Sequence, residues 1–213
     1  NFSFAITYRI HTEDSAAAFI EALGFLHGGV NALGLNENSL QGDRVYRDIF
    51  KKLQDGKTEK IDLSDCPDNA PVLLMLAAAS GGAHFTGTKR LKLKESDRAE
   101  AMRRELSKLG ASLEIKENEV IVYKTELYAP CEPILSHNDH RIVMAMAVLL
   151  TLYGGEIIGA EAINKSYPDF FSDLAALGKS DARFATLAAL VEKNGGLWCA
   201  EAEKYLLENA PKI

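Results

Sequence analysis

The sequence predicts an α/β (α+β) protein whose helices are buried and whose strands lie outside them. Three segments, at residues 14–34, 68–87 and 138–159, follow one plan: an acidic or amide N-cap, a nearly all-apolar helix, a Gly-Gly stop, a short strand and a final Gly. A helix that is apolar all round must be covered on every side. Three such helices in one chain therefore predict an internal repeat with a threefold arrangement. The alternative, that apolar helices ending in glycine are common and resemble one another by chance, stays open here.

The other elements follow from hydrophobic periodicity and from turn residues. The helix predicted at 95–109 is amphipathic, and residues 116–118 are expected to join two strands in a tight hairpin. The sequence predicts strands at residues 2–9, 30–33, 60–63, 83–86, 112–115, 119–123 and 156–158. It predicts helices at residues 14–26, 42–54, 68–80, 95–109 and 139–153.

The character of the chain changes after residue 178. Residues 1–178 carry the repeated plan and are expected to form one globular domain. Residues 179–213 are expected to form a helical tail, with two short helices at 181–193 and 200–209 and no motif. Because the chain opens without Met in a strand-like segment, we expect it to be a fragment of a longer protein.

Composition and charge exclude several classes of protein. Of the 213 residues, 47% are hydrophobic and 25% are charged, which is the globular range. The longest uncharged apolar run, residues 142–153, is shorter than the roughly 20 residues that span a bilayer, so no membrane partner is expected. A net charge of −6 argues against a nucleic-acid binder. A Lys- and Arg-rich run at residues 89–98 nevertheless favours a small anionic ligand.

The three cysteines are Cys66, Cys131 and Cys199, an odd number without a CxxC pair. This pattern argues against a disulfide framework and against a cysteine-rich metal site, and it is typical of reduced thiols in a cytoplasmic protein. We therefore expect no metal.

Candidate functional residues lie where the predicted helices begin. A helix N-terminus offers free N–H groups and a partial positive charge, so it suits an anion. If the helices are related by a threefold repeat, their first turns lie at one end of the domain, and the charged residues there converge on one surface. These residues are Asp68, Lys94, Glu95, Arg98, His140 and Arg141.

Each candidate also has a purely structural interpretation. Asp68, which follows a proline, is most simply an N-cap. Glu95 and Arg98 would form only an exposed i,i+3 ion pair on a helix, with Lys94 on the same face as Arg98. His140 and the residue after it would form a capping turn. Only the combination favours a functional site over these interpretations.

Five motifs occur in one order along residues 1–178: LNENSLQGDR (35–44), DLSDCPDNAP (62–71), KESDR (94–98), HNDHR (137–141) and NKSYPDFF (164–171). Together they resemble the C-terminal half of the EPSP synthase (3-phosphoshikimate 1-carboxyvinyltransferase) family. The resemblance implies the enolpyruvyl-transferase fold, which has two globular domains of repeated βαβαββ-like units with buried parallel helices. It implies that this chain supplies one of the two.

The resemblance also implies an activity. The family transfers the enolpyruvyl group of phosphoenolpyruvate to the 5-hydroxyl of shikimate 3-phosphate and releases phosphate, without a cofactor or a metal. It implies that Asp68 is the base for the hydroxyl proton and that Glu95 donates a proton to the methylene carbon. Since Lys94 and Arg98 would keep Glu95 ionised, Glu95 needs burial or the substrate's negative charge to carry that proton.

The remaining implied roles concern substrate binding. Arg98, Arg141 and Lys165 would contact phosphoenolpyruvate, although on its own Lys165 is a surface lysine before a proline. Lys94 would contact the shikimate ligand together with Asp68. The substrate-binding set also includes His140 and Arg90, although Arg90 departs from the Asn that family members often carry there.

The resemblance leaves the N-terminal domain of the family outside this chain. That domain is an expected partner, since the family's site lies between two domains, and we expect this chain to be inactive alone. Two alternatives stay open: a relative of the UDP-N-acetylglucosamine enolpyruvyl transferase, and a non-catalytic anion-binding domain.

Overall fold

The structure is a computed structural model that describes residues 6–9, 14–28, 30–33, 45–56 and 60–174. In these residues the helices are α1 (Asp14–His27), α2 (Tyr46–Gln54), α3 (Ala70–Ser80), α4 (Arg98–Ser107) and α5 (His140–Tyr153). The strands are β1 (Ile6–Arg9), β2 (Val30–Leu33), β3 (Ile61–Asp62), β4 (Ala83–Thr86), β5 (Ser112–Ile115), β6 (Glu119–Tyr123), β7 (Ile134–Leu135) and β8 (Ile157–Ile158). None of the described helices is both long enough and apolar enough to cross a membrane.

The predicted repeat is present as three β–α–β units. In each unit, the strand before a buried helix pairs in parallel with the strand after it. The pairs are β1 with β2 (helix α1), β3 with β4 (helix α3) and β7 with β8 (helix α5). The second unit continues through α4 into the antiparallel pair β5–β6, giving a four-stranded sheet of order β3-β4-β6-β5. The chance-likeness alternative is therefore wrong.

The helices α1, α3 and α5 pack against one another. In α3 every side chain from Ala70 to Ala78 is buried, and in α5 burial extends without a break from Ile142 to Thr151. These helices carry no polar face, so burial on all sides is the arrangement that their sequences favour. The short strands β3, β7 and β8 each present one buried and one exposed residue, as at Ile134 and Leu135.

The Gly-Gly stops work through backbone geometry. Gly81 and Gly82 have φ angles of 120° and 93°, and Gly154 and Gly155 have 73° and 130°. A Cβ atom at Gly82 would lie 2.5 Å from the carbonyl oxygen of Val122, so the strand after α3 can approach β6 only with glycine there.

The described part of the helix predicted at 42–54 is α2, and the first residues of that prediction lie outside the described ranges. Of the helices whose predicted first residues are described, two begin two or more residues later than expected. The helix predicted at 68–80 begins at Ala70, because Pro67–Asn69 form a separate 3-10 turn. The helix predicted at 95–109 is α4, which begins at Arg98 because the Asp97 side chain accepts a hydrogen bond from the N–H of Glu100 and caps it. Lys94 and Glu95 are therefore not helical, and the shared helix face proposed for Lys94 and Arg98 is wrong.

Other elements agree closely with prediction. The strands at 83–86, 112–115 and 119–123 have the predicted bounds, and Lys116 donates to the carbonyl of Glu119 in the expected hairpin. Strand β7 and the 3-10 turns Lys89–Leu93 and Ala160–Lys165 were not predicted. The start of the strand predicted at 2–9, the motif at 35–44, and the tail with its helices at 181–193 and 200–209 lie outside the described residues.

Candidate active site

Three segments that are distant in sequence meet where the buried helices begin. Asp68 lies in the 3-10 turn before α3, residues 94–98 lead into α4, and residues 139–141 begin α5. Arg141, at the start of α5, donates to the backbone carbonyl of Asp68 just before α3, so the starts of α3 and α5 share one end of the fold. The predicted convergence at this end is present.

Asp68 is held by three cations. Its Oδ1 lies 2.6 Å from Arg98 Nη1 and 2.9 Å from Lys94 Nζ, and its Oδ2 lies 3.8 Å from Arg141 Nη2. Arg141 also donates from Nη1 to the backbone carbonyl of Asp68 at 3.1 Å. The N-cap interpretation of Asp68 is wrong, since the N-cap of α3 is Asn69, which makes no side-chain capping bond.

The surrounding charges set the ionisation of Asp68. Burial by itself would raise the pKa of this carboxyl group. The hydrogen bond from Lys94 and the charges of Arg141 and Arg98 outweigh burial and lower the pKa to about 2. Asp68 is therefore an anion at neutral pH.

Arg98 is the buried centre of the cluster, with a side chain only 1% exposed. Its Nε donates to Asp139 Oδ2 at 2.9 Å and its Nη2 donates to Glu95 Oε2 at 2.6 Å, in addition to the bond to Asp68. Burial would lower the pKa of Arg98, but these carboxylates raise it. The interpretation of Glu95 and Arg98 as an exposed ion pair is therefore wrong.

Asp139 has two roles, of which the sequence indicated only one. Its Oδ1 accepts from the N–H of Arg141 at 2.9 Å, which caps α5. Its Oδ2 accepts from Arg98 and, at 3.1 Å, from Ser96 Oγ, and the side chain is fully buried. An acidic residue before an apolar helix signals a cap, but its second partner lies 41 residues away and has no local signal.

Glu95 and His140 face each other at the edge of the cluster. The Nδ1 of His140 lies 3.9 Å from Glu95 Oε1, and Glu95 is 40% exposed. Burial and then the charge of Arg141 lower the pKa of His140, so the imidazole is neutral at pH 7. His140 and Arg141 do lie in a capping turn, since the N–H of Arg141 donates to the cap residue Asp139, but both side chains also belong to the cluster.

Lys165 joins the site through the loop before α5. Its Nζ donates to both the backbone carbonyl and the side-chain Oδ1 of Asn138, each at 2.7 Å. Asn138 was not among the predicted site residues, although it lies in the HNDHR motif. Lys165 therefore lies beside the segment that carries His140 and Arg141.

Arg90 is the predicted ligand that stays apart. It is exposed on the 3-10 turn Lys89–Leu93, and no ion pair between described residues joins it to the cluster. The turn nevertheless leads directly to Lys94, and Leu93 beside it is 83% exposed. The surface next to the cluster thus combines basic and apolar side chains.

The arrangement suits anionic ligands that undergo proton transfer. Cationic side chains bind phosphate and carboxylate groups, and arginine does so with two parallel donors. Two partly exposed carboxylates, Asp68 and Glu95, lie among the cations. In the part of the chain that the structure describes, no group of three or more His, Cys, Asp or Glu side chains is placed to hold a metal ion.

Comparison with known proteins assigns the chain to a family. The sequence profile of EPSP synthase (3-phosphoshikimate 1-carboxyvinyltransferase) matches residues 5–174. Proteins named 3-phosphoshikimate 1-carboxyvinyltransferase are 41% identical in Clostridium acetobutylicum, over 80% of this chain and 44% of the relative, and 38% identical in Clostridium novyi, over 80% and 43%. The chain thus spans less than half the length of the curated relatives it matches.

A solved structure supports the same fold. The EPSP synthase of Acinetobacter baumannii matches with a TM-score of 0.60 and 20% identity, over 76% of this chain and 45% of that chain. At this identity the match supports the fold alone, and it agrees with the predicted enolpyruvyl-transferase fold.

Proposed function

The chain belongs to the EPSP synthase family, and from this premise we propose that it supplies one side of the active site of a 3-phosphoshikimate 1-carboxyvinyltransferase. In the proposed reaction, the enolpyruvyl group of phosphoenolpyruvate passes to the 5-hydroxyl of shikimate 3-phosphate, and phosphate is released. The observation that carries the proposal is the cluster in which Lys94, Arg98 and Arg141 each place a nitrogen within 4 Å of the Asp68 carboxylate.

The cations would hold the two anionic substrates. We assign the phosphate and carboxylate groups of phosphoenolpyruvate to Arg98, Arg141 and Lys165, and a group of the shikimate ligand to Lys94. In the structure Arg98 is paired with three carboxylates, of which Glu95 is the most exposed. An anion that reaches Arg98 would therefore displace Glu95.

This exchange gives Glu95 the properties of an acid. Without its guanidinium partner, and next to a negatively charged ligand, the neutral form of a carboxyl group is favoured. Glu95 would then carry the proton that is added to the methylene carbon of phosphoenolpyruvate. The resulting cationic carbon is attacked by the 5-hydroxyl, and phosphate leaves the tetrahedral product when a proton is removed again.

Asp68 would take the proton of the 5-hydroxyl. With its pKa lowered to about 2, Asp68 by itself is a weak base. The cations that lower this pKa, Lys94 and Arg141, are the ones that substrate anions would engage. Once the substrates neutralise them, Asp68 becomes more basic, so substrate binding itself would prepare the base.

We propose that a second domain completes this site, as the resemblance implies. The two carboxylates and Lys94 are partly exposed, and closure of a second domain over them would exclude water from the reacting groups. On this proposal the chain alone has no appreciable turnover.

The test is phosphate release from phosphoenolpyruvate plus shikimate 3-phosphate. It is measured with this chain alone, and with this chain mixed with the N-terminal half of the Clostridium acetobutylicum relative. We expect turnover only in the mixture, and its loss in Asp68→Ala and in Arg141→Ala. Lys60→Ala is the control, because Lys60 pairs with Glu119 on the sheet and should leave turnover unchanged.

Three outcomes would contradict the proposal. Turnover by the isolated chain at a rate typical of enzymes would remove the need for a second domain. Absence of turnover in a mixture shown to associate would favour the alternative of a non-catalytic anion-binding domain. Turnover with UDP-N-acetylglucosamine in place of shikimate 3-phosphate would support the sister transferase, which the names of the relatives do not favour.

A further inference from the structure

Glu105 is a buried carboxylate on α4 that the proposed mechanism does not use. Its side chain is 1% exposed. Oε1 lies 2.7 Å from His137 Nε2, while Oε2 accepts from the backbone N–H of Leu135 at 2.8 Å and pairs with Lys108 Nζ at 2.8 Å. A buried charge is costly unless it is paired and hydrogen-bonded, so these three partners are what make its position tolerable.

The segment held by Glu105 leads directly into the site. Residues 135–137 precede Asn138, which accepts the bonds from Lys165, and they precede the cap residue Asp139. Lys108 adds a fourth bond, from its Nζ to the carbonyl of Pro133 at 2.7 Å. Glu105 and Lys108 therefore fix residues 133–137, which lead directly into the loop of residues 136–139 at the start of α5.

The loop of residues 136–139 contains two non-glycine residues with positive φ angles. His137 and Asn138 have φ angles of 50° and 57°, the left-handed region that non-glycine residues rarely adopt. Ser136 supports it by accepting from the N–H of Asn138 at 3.2 Å and from that of Asp139 at 3.0 Å. Such conformations persist only where the surroundings hold them, and the bond from His137 to Glu105 is one such restraint.

Helix α4 thus holds the loop at two points. At the helix start, Arg98 binds Asp139; about two turns later, Glu105 binds Leu135 and His137. A rigid helix between the two contacts sets the path of the chain from residue 135 to residue 139.

We propose that Glu105 is a positioning residue: its carboxylate holds residues 135–137 so that Asn138 retains Lys165 and Arg141 meets Asp68. The inference rests on the proposed function in that Arg141 and Lys165 are taken as the phosphoenolpyruvate-binding cations. A carboxylate needed for stability alone could be satisfied by Lys108. Here each oxygen of Glu105 also accepts a hydrogen bond from the segment that leads into the site, one from His137 and one from Leu135.

The functional test compares KM for phosphoenolpyruvate with kcat in the mixture with the N-terminal half of the relative. Glu105→Ala is expected to raise KM by roughly tenfold to hundredfold, because small displacements of binding groups are costly. Glu105→Gln keeps the shape and an acceptor for Leu135, so KM should stay closer to that of the wild type. Leu106→Ala is the matched control. It removes a buried side chain from the same helix, and the leucine side chain makes no hydrogen bond to residues 133–137.

Equal KM effects of Glu105→Ala and Leu106→Ala, at equal loss of stability, would overturn the proposal and leave Glu105 a purely structural role. If Glu105→Ala does not fold, His137→Asn replaces it, because Asn tolerates a positive φ and removes one contact to Glu105. A smaller rise in KM is then expected, and an unchanged KM overturns the proposal.

A second measurement separates this inference from the proposed function. Backbone amide signals of residues 138–141 are recorded by NMR on this chain alone, for the wild type and the same variants. Signals that move in Glu105→Ala or His137→Asn but not in Leu106→Ala support positioning even if no variant shows turnover. Signals that stay in place overturn it even if the wild-type mixture is active.

Discussion

At the scale of single residues, the site is organised around Arg98. Its guanidinium is buried and donates to three carboxylates, those of Asp68, Glu95 and Asp139. The number of planar donors on arginine makes this possible, whereas a lysine in its place would leave some of these oxygens without a partner. Arg98 is therefore a structural requirement of the site as well as a proposed ligand.

Replacing Arg98 is predicted to destabilise the protein strongly. Arg98→Ala leaves the fully buried carboxylate of Asp139 without its charge partner, and we expect a loss of about 3–5 kcal/mol in the free energy of unfolding. Urea denaturation measures this loss. Arg104→Ala, which removes an exposed arginine from the same helix, is the control and should change little. A loss of less than about 1 kcal/mol in Arg98→Ala would mean that the buried pair is not formed.

The low pKa of Asp68 predicts a pH dependence of stability. Its pKa falls from 3.8 to about 2 on folding, so the folded state favours the ionised form. The stabilisation is complete above the unfolded value of 3.8 and is lost as pH falls through 2. Because Asp68 is about one-third exposed, we expect it to contribute about 1–2 kcal/mol.

The measurement is urea denaturation of the wild type and Asp68→Asn between pH 2 and pH 6. The variant should be less stable at pH 6, and the difference should shrink toward pH 2. Asp65→Asn, which removes an exposed carboxylate three residues earlier, is the control variant. A difference between wild type and Asp68→Asn that does not vary with pH would contradict the ion pairs described for Asp68.

At the scale of elements, the starts of α4 and α5 decide the shape of the site. Both helices begin at an aspartate cap, Asp97 and Asp139, and both caps precede a residue of the site. Because the cap at Asp97 ends the extended segment before α4, Lys94 and Glu95 can lie beside Asp68 and His140 rather than along a helix.

Removal of the α4 cap is predicted to be a modest change. Asp97→Ala leaves the N–H of Glu100 without its acceptor, at a cost of about 1 kcal/mol in the free energy of unfolding. Asp97→Asn, which caps equally well, should cost only a few tenths. Thermal unfolding of the three proteins distinguishes these cases, and equal effects of the two substitutions would show that capping is not what Asp97 contributes.

At the scale of the whole molecule, the three β–α–β units bury their helices in one core. The helix α5 shows how complete this burial is: its residues 142–151 are buried on all sides, and exposure begins only at Leu152. Such packing leaves no room for a polar face and brings the helix starts to one end.

Two identical substitutions on α5 test this arrangement. Leu149 is 0% exposed and Leu152 is 37% exposed. Leu149→Ala is expected to cost about 2–5 kcal/mol, because it leaves a cavity in the core. Leu152→Ala is expected to cost less than about 1 kcal/mol. Denaturation midpoints measure both, and similar costs for the two would contradict the buried three-helix packing.

The sequence alone predicted most of the elements of the fold. All-apolar helices, glycine pairs and alternating strands are local signals, and they correctly predicted the repeat, the hairpin and the meeting of the helix starts at one end of the fold. The two-residue strand β7 and the 3-10 turns carry too few residues for a periodic signal. The starts of α3 and α4 were placed too early, because a 3-10 turn and a capped turn resemble a first helical turn in sequence.

The sequence by itself identified most residues of the candidate site, because they lie in the motifs that resemble the family. Their partners were decided only by the tertiary structure. Arg98 meets Asp68 across 30 residues and Asp139 across 41, and Arg141 meets Asp68 across 73. The same holds for Glu105, which looks in sequence like one more charge on a helix. The packing of the units decides which carboxylate is buried and which cation reaches it. A local pattern of residues cannot predict these contacts, because the partners are far apart in sequence.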